Sequence, residues 1–491
     1  MATVDKQAPA FILPRLAEHI AAIKAEHVTA KALTQARTCI LDAIGCTLAG
    51  VNEPCTRILR DTPGICESSG KSLLMGTNRR TSALDATLVN GTASHALDYD
   101  DFSGVMGGHH SVPLVAMLFA LGEDRGATGR ELLAAFCAGV ETEIRLARAV
   151  NFHHYDKGWH PTATLGVFGA AAAASHLLHL DPQRTATALA IAASLAGGLK
   201  ANFGTMVKPL HVGHYGRNGL FAALLAERGY DASTQVMEHK QGFLNVFNGV
   251  GTYDVEKIFA DWAQPLEIST DTIGLKQYPC CGSTHAAVFM MLELKREHRL
   301  GAEDVAAIKI LPHGRRLTHT NTPHPQTALE AKFSVQYVCA RALKDGAVRL
   351  RDFEGDAHVD PEIVRLLDIT EARPHPDMRD DAAEQWGAEV ILSLRNGRTV
   401  GKRIENLVGR GGAYPMSSDE LWEKFTDCAQ RALPRAQIAP LFERLETLES
   451  VVDIAQVTRL LEVSPLHVKL SGRVVLAASG VEEAPETTWV P

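Results

Sequence analysis

Four polar patches interrupt otherwise apolar helical segments, and each holds residue types that can move protons or bind carboxylates. The first is HALDYDDFSGVMGGHHSVP, where Asp98, Asp100 and Asp101 leave the end of a helix and a glycine-rich loop delivers His109 and His110 to the start of the next. Carboxylates beside imidazoles suit general acid–base work, because a neighbouring carboxylate holds a histidine in one tautomer and raises its basicity. The same acids can instead cap a helix beside solvated histidines, and a metal is conceivable, although the spacing matches no named site. The second patch, KGWHPTATLGVFGA, sets His160 between Trp159 and Pro161 at a helix start, where free N–H groups can receive a carboxylate or the histidine can be purely structural. The third, NFGTMVKPLHVGHYGRNG, collects Lys208, His211, His214 and Arg217 in a Gly/Pro-broken stretch between two apolar helices. Cations are costly to bury without an anion, so this cluster reads either as an anion site or as the solvated charges of a connecting loop. The fourth, LKQYPCCGSTHAAVFMML, places Lys276, Thr284 and His285 just ahead of an apolar helix. Either Cys280 or Cys281 could be a nucleophile, yet adjacent cysteines also serve as buried packing.

The elements that carry these patches are mostly helical. From Leu13 to about Ile268 apolar residues recur at spacings of three and four, as at Leu33, Ala36, Ile40, Leu41, Ile44 and Leu48, with Gly50 ending that run. Similar runs cover Ser82 to Leu97, Pro113 to Leu121, Gly129 to Val150, Thr164 to Leu178, Pro182 to Leu195 and Gly216 to Arg228. Pro161 to Leu180 lacks Asp, Glu, Lys and Arg, but its His, Thr, Ser, Ala and Gly content reads as a buried helix packed closely on others, not a membrane span. Near Ser269 the pattern changes: Val305 to Leu311 reads as a strand, and Ala388 to Leu394, Asn396-Gly397 and Thr399 to Ile404 as strand, type I′ turn, strand. Beyond the Gly409 to Gly412 linker, Ser418 to Leu433 and Leu441 to Leu448 return to helix, with Ser417 or Ser418 as cap and Glu420 and Glu423 in the early turns. The expected fold is mainly α: a large all-helical domain in two parts, 1–268 and 408–465, with a smaller α+β lid domain inserted at 269–407 and a tail at 466–491.

Composition narrows the function. Across 491 residues, 49 Lys and Arg face 57 Asp and Glu, a formal charge of -8, so no global field draws in nucleic acid or an anionic membrane. Nine cysteines, an odd number without a secreted-scaffold spacing, and an N-terminus lacking a signal or transit pattern predict a reduced, cytoplasmic protein. GxxxxGK[ST], HExxH, CxxC and a convincing GxGxxG are all missing, and adjacent cysteines suit an iron–sulfur cluster poorly, so neither cofactor nor metal is expected.

LDYDD, GWHPT, TMVKPLHVG, YPCCGSTH and EAKFSVQY, in this order and across about residues 10 to 460, resemble the MmgE/PrpD family, which includes 2-methylcitrate dehydratase, cis-aconitate decarboxylase and iminodisuccinate epimerase. The resemblance implies a homodimer of two-domain chains, a helical domain with an inserted lid, an active site between them and cofactor-free chemistry. Its catalytic positions map to Asp98, His109, His160 and Lys208, with Lys276 supplied by the lid; His109 is the proton-handling residue and His110 stands where Pro is common. Lys276, Arg316, His285, Thr284 and His211 are the expected substrate contacts. Phe102, Cys281 and Arg315 or Arg316 stand where animal-type cis-aconitate decarboxylases carry Thr, His and Tyr, while GWHPTATLGVFGA and NFGTM look closer to the epimerase branch. The implied activity is a proton transfer α to a carboxylate of a small di- or tricarboxylate: first a dehydratase or decarboxylase, alternatively an epimerase of an iminodisuccinate-like dicarboxylate. A non-catalytic carboxylate-binding homologue and a metal-dependent hydratase are the rival classes. Dehydration, decarboxylation and epimerisation share a carbanion or enediolate, which cations stabilise and an imidazole can protonate.

Overall fold

The computed structural model describes residues 11–378, 386–407, 409–411 and 414–463; the expected tail at 466–491 and the end of the Gly409 to Gly412 linker lie outside them. The larger part is built from helices α1 (Ile12–Ala21), α2 (Ala30–Gly50), α3 (Ala83–His95), α4 (Ser111–Arg125), α5 (Gly129–Val150), α6 (Gly166–Leu177), α7 (Pro182–Leu195) and α8 (Val207–Glu227). Side chains stop the fraying of their first turns. Thr29 accepts from the Ala32 N–H ahead of α2, Ser82 from Asp85 ahead of α3, and Thr128 with Glu131 forms a capping box on α5. Their apolar faces meet in one continuous core that includes Ile40, Leu118, Phe136 and Phe168.

Small residues set the spacing of that core. A Cβ on Gly91 of α3 would lie 2.7 Å from the Gly213 Cα of α8, and one on Gly213 would lie 2.0 Å from the Leu88 carbonyl oxygen. A Cβ on Gly219 would come within 2.7 Å of the Val167 carbonyl on α6. The backbones of α3, α8 and α6 therefore touch, and any side chain at Gly213 would force them apart. The run from Pro161 to Leu180 is a one-turn helix, Pro161–Thr164, followed by α6, both almost wholly buried; among the described residues no helix is long and apolar enough to cross a membrane.

The smaller part carries α9 (His285–His298) and α10 (Val335–Asp345) on a four-stranded sheet. Two further elements of this chain, β1 (Phe102–Ser103) and β2 (Ile273–Gly274), form a short pair of their own, and the sheet strands are β3 (Val305–Pro312), β4 (Thr370–Ala372), β5 (Ala388–Leu394) and β6 (Thr399–Ile404), in the order β4-β3-β5-β6. β3 runs parallel to β4 and antiparallel to β5. A second core of Val288, Met291, Ile310, Val338 and Val390 lies between the sheet and its helices. After it, α11 (Ser418–Ala429), capped by a Ser417 and Glu420 box, and α12 (Arg435–Glu446) pack Phe425 and Leu441 into the first core. Burying a side chain the size of Phe425 there contributes about 1.5–3 kcal/mol.

Two local expectations change. The stretch holding Lys208, His211, His214 and Arg217 is no broken loop but the first half of the continuous helix α8. Pro209 falls in its first turn, where no intrahelical N–H is needed, and Gly213 is selected by the contact with α3. The β5–β6 connection is no type I′ turn: Gly397 has φ 86° while Asn396 does not enter positive φ, and the Leu394 N–H donates to Arg398 O, which makes a three-residue loop closed by a left-handed glycine.

Candidate active site

The site forms where α3 ends. β1 pairs with β2, Phe102 opposite Gly274 and Ser103 opposite Ile273, which draws the segment leading to Lys276 alongside the Asp98–Asp101 loop. Asp98 is left-handed, with φ 54°, a conformation that Asp tolerates better than most residues. That turn aims its carboxylate at cations from two other segments. Asp98 Oδ1 accepts from Lys208 Nζ at 2.8 Å and lies 2.9 Å from Lys276 Nζ, and Lys276 Nζ also donates to the Asp98 carbonyl at 2.7 Å. Burial alone would raise the Asp98 pKa, but the charges of Lys208 and then Lys276 outweigh it and hold the carboxyl well below the usual range. Lys276 moves the other way: its burial cost is overcome by Asp98 and Asp100, so the ammonium stays charged.

His109 Nε2 lies 3.5 Å from the same Asp98 oxygen. Its Nδ1 faces Asp100 Oδ2 at 2.8 Å and the Asp101 carbonyl at 2.8 Å, while its backbone N–H donates to Thr162 Oγ1 at 2.9 Å. The other Asp100 oxygen is 2.8 Å from His95 Nδ1. Asp100 is thus hydrogen-bonded to His95 and pairs at 2.8 Å with His109, whose ring is held by the Asp101 carbonyl. With Nδ1 donating to the Asp101 carbonyl beside the Asp100 carboxylate, Nε2 is the nitrogen that takes or gives a proton. Burial works to raise the Asp100 pKa, yet His109 and His95 bring it well below the usual carboxylate range. Burial lowers His95 to about 4, so that imidazole is neutral near pH 7.

The imidazoles continue as a row. The His95 ring is 4.4 Å from His109 and 6.3 Å from His160, and His160 Nδ1 faces His211 Nδ1 at 3.1 Å. Burial, then the Lys208 charge, pulls His160 well below its ordinary pKa, and burial brings His211 to about 4. One of the two facing nitrogens carries a proton and donates it to the other. The edge of His160 meets Phe203, which also lies 5.2 Å under the Lys208 ammonium.

The structure thus brings together Asp98, His109, His160, Lys208, His211 and Lys276. Arg316 stands further out: its guanidinium covers the Trp386 ring at 3.5 Å, and Trp386 reaches His109 through Phe102, with ring separations of 5.7 and 6.5 Å. Burial lowers Arg316 to about 10. Thr284 and His285 lie deeper. The Thr284 hydroxyl donates to Cys281 O at 2.8 Å, and the buried His285 ring packs against Tyr278 at 5.1 Å, lowered by burial to about 3.

Three residues close to the cluster, His95, Lys332 and Lys424, escape a reading by spacing, and Asp100 is read only as one of three neighbouring acids. His95 and Asp100 sit inside the quoted first patch but are chemically indistinct from their neighbours there. Lys332, in EAKFSVQY, donates to the Leu97 carbonyl at 2.9 Å, and Lys424 of α11 donates to the Tyr99 carbonyl at 2.8 Å. His95, Asp98, Asp100 and His109 also offer ligand atoms within 4.8 Å of one another, and Cys39, Asp101 and His110 form a second, buried set. In the first set two ammonium groups already crowd one carboxylate oxygen and would repel a divalent cation.

Lysines from two distant segments thus converge on one aspartate at the end of a helical core. The MmgE/PrpD N-terminal domain matches residues 14–256 and the MmgE/PrpD C-terminal domain residues 278–447, and the chain belongs to the MmgE/PrpD family. It is 30% identical to the cis-aconitate decarboxylase of Homo sapiens over 461 residues, 92% of this chain and 94% of that protein. The cis-aconitate decarboxylase of Mus musculus is 28% identical over 90% of this chain and 91% of its own length. The cis-aconitate decarboxylase-like protein oryM of Aspergillus oryzae is 28% identical over 94% of this chain and 99% of its own length.

Proposed function

We propose that this chain is a cofactor-independent lyase that removes CO₂ from a cis-aconitate-like tricarboxylate. The observation that carries the reading is the convergence of Lys208 Nζ, Lys276 Nζ and His109 Nε2 on one carboxylate oxygen of Asp98, at 2.8, 2.9 and 3.5 Å. A substrate carboxylate placed there meets two cations and an imidazole at once. The relatives named cis-aconitate decarboxylase support the choice of decarboxylation among the reactions that share this intermediate.

The chemistry balances as an allylic shift. The bond between the CH₂ carbon and its carboxylate breaks, its electron pair forms a terminal C=CH₂ bond, and the former double-bond pair takes a proton at the =CH carbon, α to the carboxylate that this carbon bears. The negative charge that develops on that carboxylate is stabilised by Lys208 and Lys276, preorganised by Asp98. His109, held by the Asp101 carbonyl beside Asp100, gives the proton from Nε2. His160, His95 and His211 are held neutral and add no competing positive charge.

The test is incubation of the purified protein in D₂O with cis-aconitate, 2-methylcitrate and iminodisuccinate in parallel, followed by NMR and CO₂ detection. The expected result is one CO₂ released and one deuteron gained per cis-aconitate consumed. Turnover of another member of the panel, with cis-aconitate inert, overturns the proposal.

A further inference from the structure

Three consecutive carbonyls in the loop just past α3 are each taken by a different lysine. Lys332 Nζ donates to Leu97 O at 2.9 Å, Lys276 Nζ to Asp98 O at 2.7 Å and Lys424 Nζ to Tyr99 O at 2.8 Å. The three come from separate elements: the short helix Ala328–Lys332, the segment after β2, and α11. All three carbonyls lie in the loop that follows α3, where no helix or sheet ladder supplies an N–H, so each needs a donor from elsewhere in the chain.

We propose that Lys332 and Lys424 are positioning residues that hold Asp98 in its left-handed conformation, and so keep its carboxylate on Lys208 and Lys276. Lys424 Nζ donates to Tyr99 O at 2.8 Å and to Lys276 O at 2.7 Å, and its ammonium pairs with Asp42 Oδ1 at 2.5 Å. It therefore ties the backbone of Tyr99 to the backbone of Lys276 and fixes the distance between the two strands that carry the site. The Asp42 carboxylate closes the arrangement from below, because its other oxygen accepts the Asp101 N–H at 3.1 Å. Lys332 acts one residue before Asp98. Its side chain is half-buried, and burial draws its pKa down to about 8 against the pull of Asp98 and Glu53, so the protein bears a cost to keep an ammonium at Leu97 O. Lys332 and Lys424 spend these donors on backbone carbonyls and Asp42, which separates them from the lysines that face Asp98 Oδ1.

The inference rests on the proposed reaction for its activity readout, and a second readout frees it from that dependence. Lys332→Met is compared with wild type by amide hydrogen exchange over residues 96–102 and by steady-state kinetics on cis-aconitate. Exchange in that segment should accelerate about tenfold with the remaining peptides unchanged, and kcat should fall about 10- to 100-fold with KM within about threefold, as a small misplacement of a catalytic group requires. Lys332→Arg, which keeps a cationic donor, should recover most of both. Unchanged exchange and kcat in the Met variant overturn the proposal, and so does a raised KM at constant kcat, which would make Lys332 a substrate contact. Should the Met variant not fold, Lys332→Gln is read against Lys332→Arg in the same two assays, and equal behaviour of the two overturns it. If wild type releases no CO₂ from cis-aconitate, the functional reading fails and the exchange data alone decide the clamp.

Discussion

Asp100→Asn is the most demanding test of the site chemistry. The carboxylate serves two imidazoles through two oxygens, each 2.8 Å from an Nδ1. An amide offers one acceptor and one donor, so only one histidine can keep a side-chain oxygen opposite Nδ1, while His109 also has the Asp101 carbonyl at 2.8 Å. If His109 keeps the good oxygen, the loss is the difference between a charge-assisted and a neutral hydrogen bond, about 1 kcal/mol, or roughly fivefold in rate. If His109 faces the NH₂, the Asp101 carbonyl alone holds its tautomer, and loss of the charge-assisted partner, about 1.5–3 kcal/mol, costs about 10- to 200-fold in kcat. His95, deeply buried and lowered to about 4, has the weaker claim on the negative charge, but Asn Oδ1 is free to choose either ring. The two cases are separated by measuring kcat alongside the pattern of ring NH signals in ¹⁵N-histidine NMR. Wild-type kcat together with reversed tautomers at His109 would refute the assignment of Nε2 as the proton carrier.

Lys208→Ala should weaken binding of a tricarboxylate inhibitor by about one to two decades, the value of one charge-assisted carboxylate contact, and an unchanged inhibition constant would remove Lys208 from the substrate site. Thermal stability should fall as pH is lowered from 7 to 5. His95, His154 and His211 are lowered to about 4 and His110 and His285 to about 3, all chiefly by burial, so the unfolded chain binds protons below about 6.5 that the folded chain refuses. Asp42 and Asp101, raised by burial to about 7 and about 6, and Glu143, also raised by burial, act in the opposite sense because they take protons in the fold first, but the five histidines outnumber these three. A melting midpoint that rises on acidification, read by differential scanning fluorimetry, would contradict this balance.

Helices were legible where their cause is local. Apolar spacing and a capping Ser or Thr mark Gly129–Val150 and Ser418–Ala429, and both are found within a few residues of the expected bounds. The first half of α8 was hidden because Pro209 and Gly213 look like breaks, whereas one sits in a turn that needs no donor and the other answers a neighbouring backbone. β4 was missed as well: three residues paired along one edge carry too little periodicity to read. At the site, the residue types of LDYDD announce carboxylates but cannot say which one faces which partner. That division follows from the left-handed turn at Asp98 and from lysines 110 and 178 positions away. Lys332 and Lys424 look like ordinary solvated helix charges until the chain is folded around Leu97 and Tyr99.

The pairing of Phe102 with Gly274 has a consequence for the order of folding. It closes a loop of more than a hundred and fifty residues, and the entropy of that closure must be met before the two residues of each strand return anything for it. Helices whose contacts are local can form first and persist longest. The site geometry should therefore form late and be lost early: mild denaturant is expected to abolish turnover while most of the helical circular-dichroism signal survives.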